Sequence, residues 1–403
     1  MKYSKEEVLQ YVNEDDVKFI RLAFCDVFGR QKNISIMPDE LERAFDTGIA
    51  FDASSIAGFG GEVRSDLFLR PESCTLAELP WRPEHGKVVR MFSDICLPSG
   101  AGFECDTRAL LKKAVSAASD AGLDFLFGAE QEFYLFELDE NGNHTRIPCD
   151  GAGYMDIAPE DRGENVRREI CLTLERMGIR PESSHHEAGP GQNEIDFRYS
   201  DPLTAADNAV TFRTVVKTVA KRNGYCADFS PKPLADQPGN GFHINMSVRS
   251  SDGSDRLPQL IAGVLDKVAE ITLFLNPAEE SYSRFGKHKA PRLISWSDEN
   301  RSQLVRVPAA FGEYRRAELR SPDPAANPYI AFALLIYAGI SGVQRKLPLP
   351  PAADFNLYTA SADKFTGFGS LPESLDAARR AAENSDFVRR FVPNPILEAY
   401  IGR

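Results

Sequence analysis

The chain has 403 residues, 42% of them hydrophobic and 26% charged, with a formal net charge of −12. That length and balance predict a globular protein of two or more domains and exclude a disordered chain, while the negative charge weighs against binding of nucleic acid through its phosphates and favours a small-molecule partner. Seven scattered cysteines (Cys25, Cys74, Cys96, Cys105, Cys149, Cys171, Cys226) without CxxC spacing suggest neither a disulfide framework nor a zinc knuckle, and with no apolar leader or membrane-length apolar run the expected setting is the cytoplasm, away from any membrane.

Residues 3–13 carry apolar side chains at helical spacing, and "VKFIRLAFCDVFG" (17–29) alternates as a half-buried strand running into a turn, which opens a small α+β region. The Pro, Ser and Gly cluster within "VVRMFSDICLPSGAGFECD" (88–106) precedes the helical pattern "TRALLKKAVSAASDAG" (107–122). A domain boundary near residue 101 is therefore expected, dividing the chain into 1–101 and 102–403. Beyond it the patterns predict a strand at 124–138, a helix at 164–177, a strand at 193–199, a long helix at 203–223, and strands at 241–248 and 314–320. The class expected is α+β, a mostly antiparallel sheet flanked by helices.

Alternate side chains of a strand share a face. In "GAEQEFYLF" (128–136) this puts Glu130 and Glu132 with Tyr134, and Ala129, Phe133 and Leu135 opposite. A polar stripe on one strand is the ordinary mark of a solvated sheet face. The pattern recurs, however, in "GFHINMSV" (His243, Asn245, Ser247) and in "RRAELRS" (Arg316, Glu318, Arg320), and "SSHHEAGPGQNEIDF" adds Glu187 and Glu194 around a glycine-proline loop. Five glutamates and a histidine converging on one cleft would stay ionised only with cations present, and an oxygen-rich set suits Mg²⁺ or Mn²⁺, commonly bound together with substrate phosphates. No GxxxxGK[ST] motif is present, so phosphates would fall to the arginines clustered at Arg301, Arg306, Arg316 and Arg320.

With these residues in place, the sequence resembles glutamine synthetase of the bacterial type I class. "FDASSIAGFGGEVRSDLFLRPE", "GAEQEFYLF", "SHHEAGPGQNEIDFRY", "NGFHINMS", "NRSQLVRVP" and "RRAELRSPDPAANPYIAFALL" follow the family's order over nearly the whole chain. The resemblance implies a β-grasp domain (1–101) and a catalytic domain (102–403) whose strands form a funnel open to ATP at one end and glutamate at the other. It implies one metal held by Glu132, Glu187 and Glu194 on the glutamate side, and a second held by Glu130, His243 and Glu318 on the ATP side. Arg284, Gly239 and Arg320 would bind glutamate, and Tyr199, Ser247, Arg306 and Arg316 the nucleotide. Arg301 would act on the transferred phosphoryl group, and Asp52 would serve the ammonium site of a neighbouring subunit in a homo-oligomeric ring, a hexamer or dodecamer. The implied chemistry is ATP-dependent formation of γ-glutamyl phosphate followed by amidation with ammonia.

Several positions depart from the family's pattern. The lid segment "RFGKHKAP" carries Lys289 at or near the place of the usual glutamate, and no acid lies between Glu280 and Asp298. His288 is then the nearest group able to accept a proton. Pro238 and Asn245 replace a usual asparagine and histidine, and the chain ends at "ILEAYIGR", short of the family's ring-stacking tail. These differences leave open a γ-glutamyl ligase for another amine (a polyamine, an alkylamine or ethanolamine) and a non-catalytic relative of the family.

Overall fold

Ser4 accepts the Glu7 backbone N–H and Glu7 returns a bond to Ser4, a capping box that starts α1 (Lys5–Glu14). The computed structural model describes residues 3–402 except 62, 64, 83, 84, 288 and 311, and of 313 and 362 only the backbone. The first sheet is built from β1 (Val17–Cys25), β2 (Gln31–Ile36), β3 (Ile49–Asp52), β4 (Asp66–Pro71), β5 (Ala77–Glu78) and β6 (Lys87–Cys96), with α2 (Leu41–Asp46) between β2 and β3. Its order is β2-β1-β6-β4-β3, with β5 also on β6; β1 and β6 run parallel and the other pairs antiparallel. The half-buried strand expected at 17–29 is buried on both faces through Leu22, Ala23, Phe24 and Cys25, all of which join the hydrophobic core.

The connection from β6 to α3 (Thr107–Asp120) contains the proposed division near residue 101. Asp106 caps α3 by accepting the Arg108 and Ala109 N–H groups, and its other oxygen accepts the Ile95 N–H of β6. Arg108 places a two-pronged fork on Asp207 at 2.9 Å and sends its third nitrogen to Glu72 at 2.7 Å, so one buried guanidinium ties the first sheet to the helices of the second region.

The larger region follows in the order β7 (Leu123–Leu138), β8 (His144–Pro148), α4 (Glu164–Arg176), β9 (Pro181–His186), β10 (Gln192–Phe197), α5 (Pro202–Arg222), β11 (Tyr225–Asp228), β12 (Phe242–Ser250), α6 (Leu257–Leu275) and α7 (Glu279–Tyr282). It continues through β13 (Trp296–Asp298), β14 (Val305–Val307), β15 (Ala317–Leu319), α8 (Pro328–Gln344), α9 (Leu375–Glu383), α10 (Asp386–Phe391) and α11 (Asn394–Ile401). The sheet order is β13-β14-β15-β12-β7-β10-β9, with β8 and β11 also on β7, and every pair but β13–β14 is antiparallel. Phe125, Phe127, Phe133 and Phe242 lie buried in the same core as Phe332 of α8 and Phe212 of α5. This apolar packing on one face fixes which face stays open.

The strand expected at 314–320 is shorter. A 3₁₀ turn occupies Gly312–Tyr314, and β15 spans only Ala317–Leu319 before "SPDP" ends the ladder. Among the described residues no helix is long and apolar enough to cross a membrane, and all seven cysteines are free thiols.

Candidate active site

Strand register builds the site. Across β7 and β12, Glu130 stands opposite His243; across β7 and β10, Glu132 opposes Glu194 and Glu130 opposes Asp196. Outward from these, Glu194 faces His185 on β9, Asn245 faces Glu318 on β15, and Glu318 faces Arg306 on β14. Directly opposed residues of an antiparallel pair sit ~4.5–5.5 Å apart at Cβ, so the stripes read on single strands merge into one polar surface across six strands. It floors a cleft of about 500 Å³.

The acid wall is electrostatically overloaded. Burial raises the pKa of Glu132, and the charge of Glu187 adds to it; Glu132 accepts bonds from the Gly241 N–H at 2.8 Å and from Gln192 at 3.0 Å. Burial, then the charges of Asp196, Glu132 and Glu130, holds Glu194 well above the carboxylate range. Burial and Glu130 push Asp196 up to about 6. Glu130 is the exception: burial opposes its ionisation, but His243 (Nδ1 at 3.3 Å), Asn245 (Nδ2 at 2.7 Å) and Arg320 together bring it down to about 2. Two sets, Glu130–Glu194–His243 and His185–Glu187–Glu194, each offer ligand atoms within 4.8 Å of one another and share Glu194. Repelling buried carboxylates with an imidazole fit hard divalent cations, and Asp196 Oδ1 is buried with no hydrogen-bond partner. Gly241 leaves this space free, since a Cβ there would meet His243 Nε2 at 2.7 Å and Glu132 Oε1 at 3.2 Å.

Arginines form the facing wall. Glu318, expected among the metal ligands, is held between Arg306 (Nη1 at 2.7 Å) and Arg320. Arg284 is buried, its guanidinium back-bonded to Ser321 O at 3.1 Å and Asp323 at 3.4 Å, and burial lowers its pKa. The Nε atoms of Arg284, Arg306 and Arg320 are buried without partners, donor capacity that an anionic ligand could use. Gly239 packs against Arg284, where a Cβ would come within 2.7 Å of Cγ. Arg301 and Arg316 also line the cleft, and Arg316 Nε bonds Asn245 Oδ1 at 2.8 Å.

Tyr199 and Ser247 line a smaller adjoining cavity of about 110 Å³ that shares Glu130, Asp196 and Arg316 with the main cleft. Tyr199 meets Tyr314 there edge to face at 6.3 Å. Asp52 is not among the residues lining the cleft of its own chain; it ends β3, exposed, with its carboxylate accepting the Ser54 N–H at 2.8 Å and hydroxyl at 3.0 Å. His288 lies outside the described residues. Sequence reasoning missed His185, Asp196, Gln192 and Tyr154, all lining the cleft. Alternation in "SSHHE" and "QNEIDF" carries a signal for the first three, because His185 precedes Glu187 by two positions and Gln192 and Asp196 flank Glu194 by two. Tyr154 sits in a loop without periodicity.

At the lid segment, Gly286 N–H bonds Ala290 O at 2.8 Å and Ala290 N–H bonds Lys287 O at 2.9 Å. Lys289 adopts φ +66°, and its Nζ stands over the Tyr154 ring at 5.0 Å. Burial and the charge of Glu187 raise the Tyr154 phenol pKa, and Arg301 opposes them.

Residues 104–403 match the family described as "Glutamine synthetase, catalytic domain" and residues 16–98 match "Glutamine synthetase, beta-Grasp domain". A glutamine synthetase of Clostridium saccharobutylicum is 42% identical over 415 residues, covering 99% of this chain and 94% of that protein. One from Methanosarcina mazei is 43% identical over 413 residues, covering 99% and 92%. The solved structure "GmaS/ADP complex-Conformation 1" superposes with TM-score 0.88 at 26% identity, covering 98% of this chain and 94% of that one. Plasmodium falciparum glutamine synthetase shares the fold, with TM-score 0.87 at 21% identity over 100% and 95% of the two chains. The chain described here belongs to the glutamine synthetase family.

Proposed function

We propose that this protein is a glutamine synthetase, an ATP-dependent ligase that joins ammonia to the γ-carboxylate of glutamate. The observation that carries the reading is the cleft itself: an acid and imidazole wall fixed by strand register faces an arginine wall with unpartnered buried donors. The first step forms a bond between a γ-carboxylate oxygen and the γ-phosphorus of ATP and breaks the bond to the β-phosphate, releasing ADP. In the second, the amine nitrogen bonds the acyl carbon, the C–O bond to phosphate breaks with its electron pair, and the nitrogen gives up a proton. Mg²⁺ or Mn²⁺, when bound by Glu130, Glu132, Glu187, Glu194 and His243, would neutralise charge on the phosphates and the γ-carboxylate.

The remaining work belongs to the chain. Arg284, Gly239 and Arg320 hold glutamate. Tyr199 and Ser247, which line the smaller cavity beside the cleft, border the nucleotide. Arg306 and Arg316 stand behind the phosphates, Arg316 held by Asn245, while Glu318 anchors Arg306 and Arg320 and would help hold the second metal. Arg301, exposed and lining the cleft, stabilises the transferring phosphoryl group. Asp52 serves the neighbouring subunit's site in a ring.

Phosphate release with ATP and glutamate across ammonium, methylamine, ethylamine, putrescine and ethanolamine tests the reading. Ammonium is expected to give the highest kcat/KM, and turnover with alkylamines alone would transfer the protein to the γ-glutamyl amine ligases, a reading favoured by Lys289 in the lid. Arg301→Ala is expected to lower kcat by about 10²-fold with little change in the glutamate KM; a change confined to KM would make this arginine a binding group only.

A further inference from the structure

Among the described residues that line the cleft, Lys289 is a cation placed over an aromatic ring. Its Nζ lies 5.0 Å from the Tyr154 ring centre, and the same ring meets His185 edge-on at 5.5 Å. His185 in turn stands 3.7 Å from Glu187 and 4.0 Å from Glu194. The lysine therefore reaches the end of the cleft where the acid wall closes, on the face of the ring best suited to a cation. The position is built: Lys289 holds φ +66°, unusual for a residue other than glycine or asparagine, between the hydrogen-bonded Gly286 and Ala290. Among the described residues no carboxylate lies within ion-pair distance of it. The segment from 281 to 297 contains no acid, so this lid offers no carboxylate to take a proton from an ammonium ion.

We propose that Lys289 selects the charge of the nucleophile: its own ammonium occupies the Tyr154 face, excludes an ammonium ion from that place, and leaves the cleft to an uncharged amine. This rests on the ligase reading above and specifies its nucleophile. An uncharged amine needs to lose only one proton as its nitrogen bonds the acyl carbon and phosphate departs. A bound ammonium ion would have to lose one proton before attack and a second afterwards. A positive charge on the Tyr154 face penalises the ion and leaves the neutral molecule almost untouched.

Hydroxylamine and ammonium separate these cases, because near neutral pH the first is uncharged and the second is a cation. The test measures the KM of each nucleophile in the full-length enzyme with ATP and glutamate. Lys289→Asn removes the charge with a residue that tolerates positive φ, and Lys289→Arg keeps the charge. The ratio of ammonium KM to hydroxylamine KM is expected to fall about tenfold in Lys289→Asn and to stay near the wild-type value in Lys289→Arg. An unchanged ratio in Lys289→Asn, or an equal fall in both variants, overturns the assignment. Absence of γ-glutamyl hydroxamate from the wild-type enzyme would sink the ligase reading and this inference with it, whereas hydroxamate with an unmoved ratio sinks the inference alone.

Discussion

At the scale of single residues, the acid wall sets stability against function. Glu194 is buried with a pKa held well above the ordinary range by burial and by Asp196, Glu132 and Glu130. Removing its charge should therefore stabilise the metal-free fold while damaging the site. Glu194→Gln is expected to raise the melting temperature in EDTA by about 2 °C or more and to lower turnover by at least about 10²-fold. Mn²⁺ should stabilise the wild type more than the variant, because binding to the folded state adds to stability in proportion to affinity. Thermal melts with EDTA and with Mn²⁺ check this, and a lowered melting temperature in EDTA would show that the carboxylate is not under repulsion. Glu318 behaves oppositely. Its removal leaves Arg306 and Arg320 without their shared carboxylate in a largely buried setting, so Glu318→Ala should lose about 3–5 kcal/mol of stability as well as activity, read by denaturant unfolding.

At the scale of elements, α3 is the joint between the two sheets. Arg108 and Lys112 on this helix both engage Glu72 beyond β4, while Arg108 also holds Asp207 on α5. Burial would raise the Glu72 pKa, but Arg108 and Lys112 together lower it. A carboxylate depressed in the folded state contributes stability that is whole above its unfolded pKa of about 4.3 and is lost as pH falls through the lower folded value. The melting temperature should therefore drop as pH falls below about 4.5, and Glu72→Gln should make that drop shallower while lowering stability near neutrality. Melts across this range measure both, and an unchanged slope would remove Glu72 from the acid response.

At the scale of the whole molecule, Asp52 carries the argument for shared sites. It is exposed, it is not among the residues lining its own cleft, and its carboxylate is oriented by the Ser54 N–H and hydroxyl and by Ser65. If a neighbour's Asp52 completes each cleft, Asp52→Ala and Arg301→Ala enzymes, each nearly inactive, should complement when co-expressed. Random assembly of a ring gives about a quarter of the sites both intact residues. Activity of the mixed preparation near that fraction supports the ring, and activity no higher than the parents argues against a shared site.

Alternation along a strand is a local property, so the stripes containing Glu130, Glu132, His243 and Glu318 were legible before any pairing was known, as was the helical pattern of α3. The sequence by itself also determined the family, because six motifs in order are a property of the chain alone. Which stripes stand opposite one another was decided only by tertiary structure. Register follows from burying Phe127, Phe133, Phe242 and their neighbours against α5 and α8, and a slip of one residue would turn every carboxylate into the core. The helix α8 escaped notice because it is apolar on nearly all sides and lacks a periodic face. Long-range packing alone brought Arg306 against Glu318 and set Lys289 above Tyr154, since each contact joins segments whose local patterns say nothing of one another.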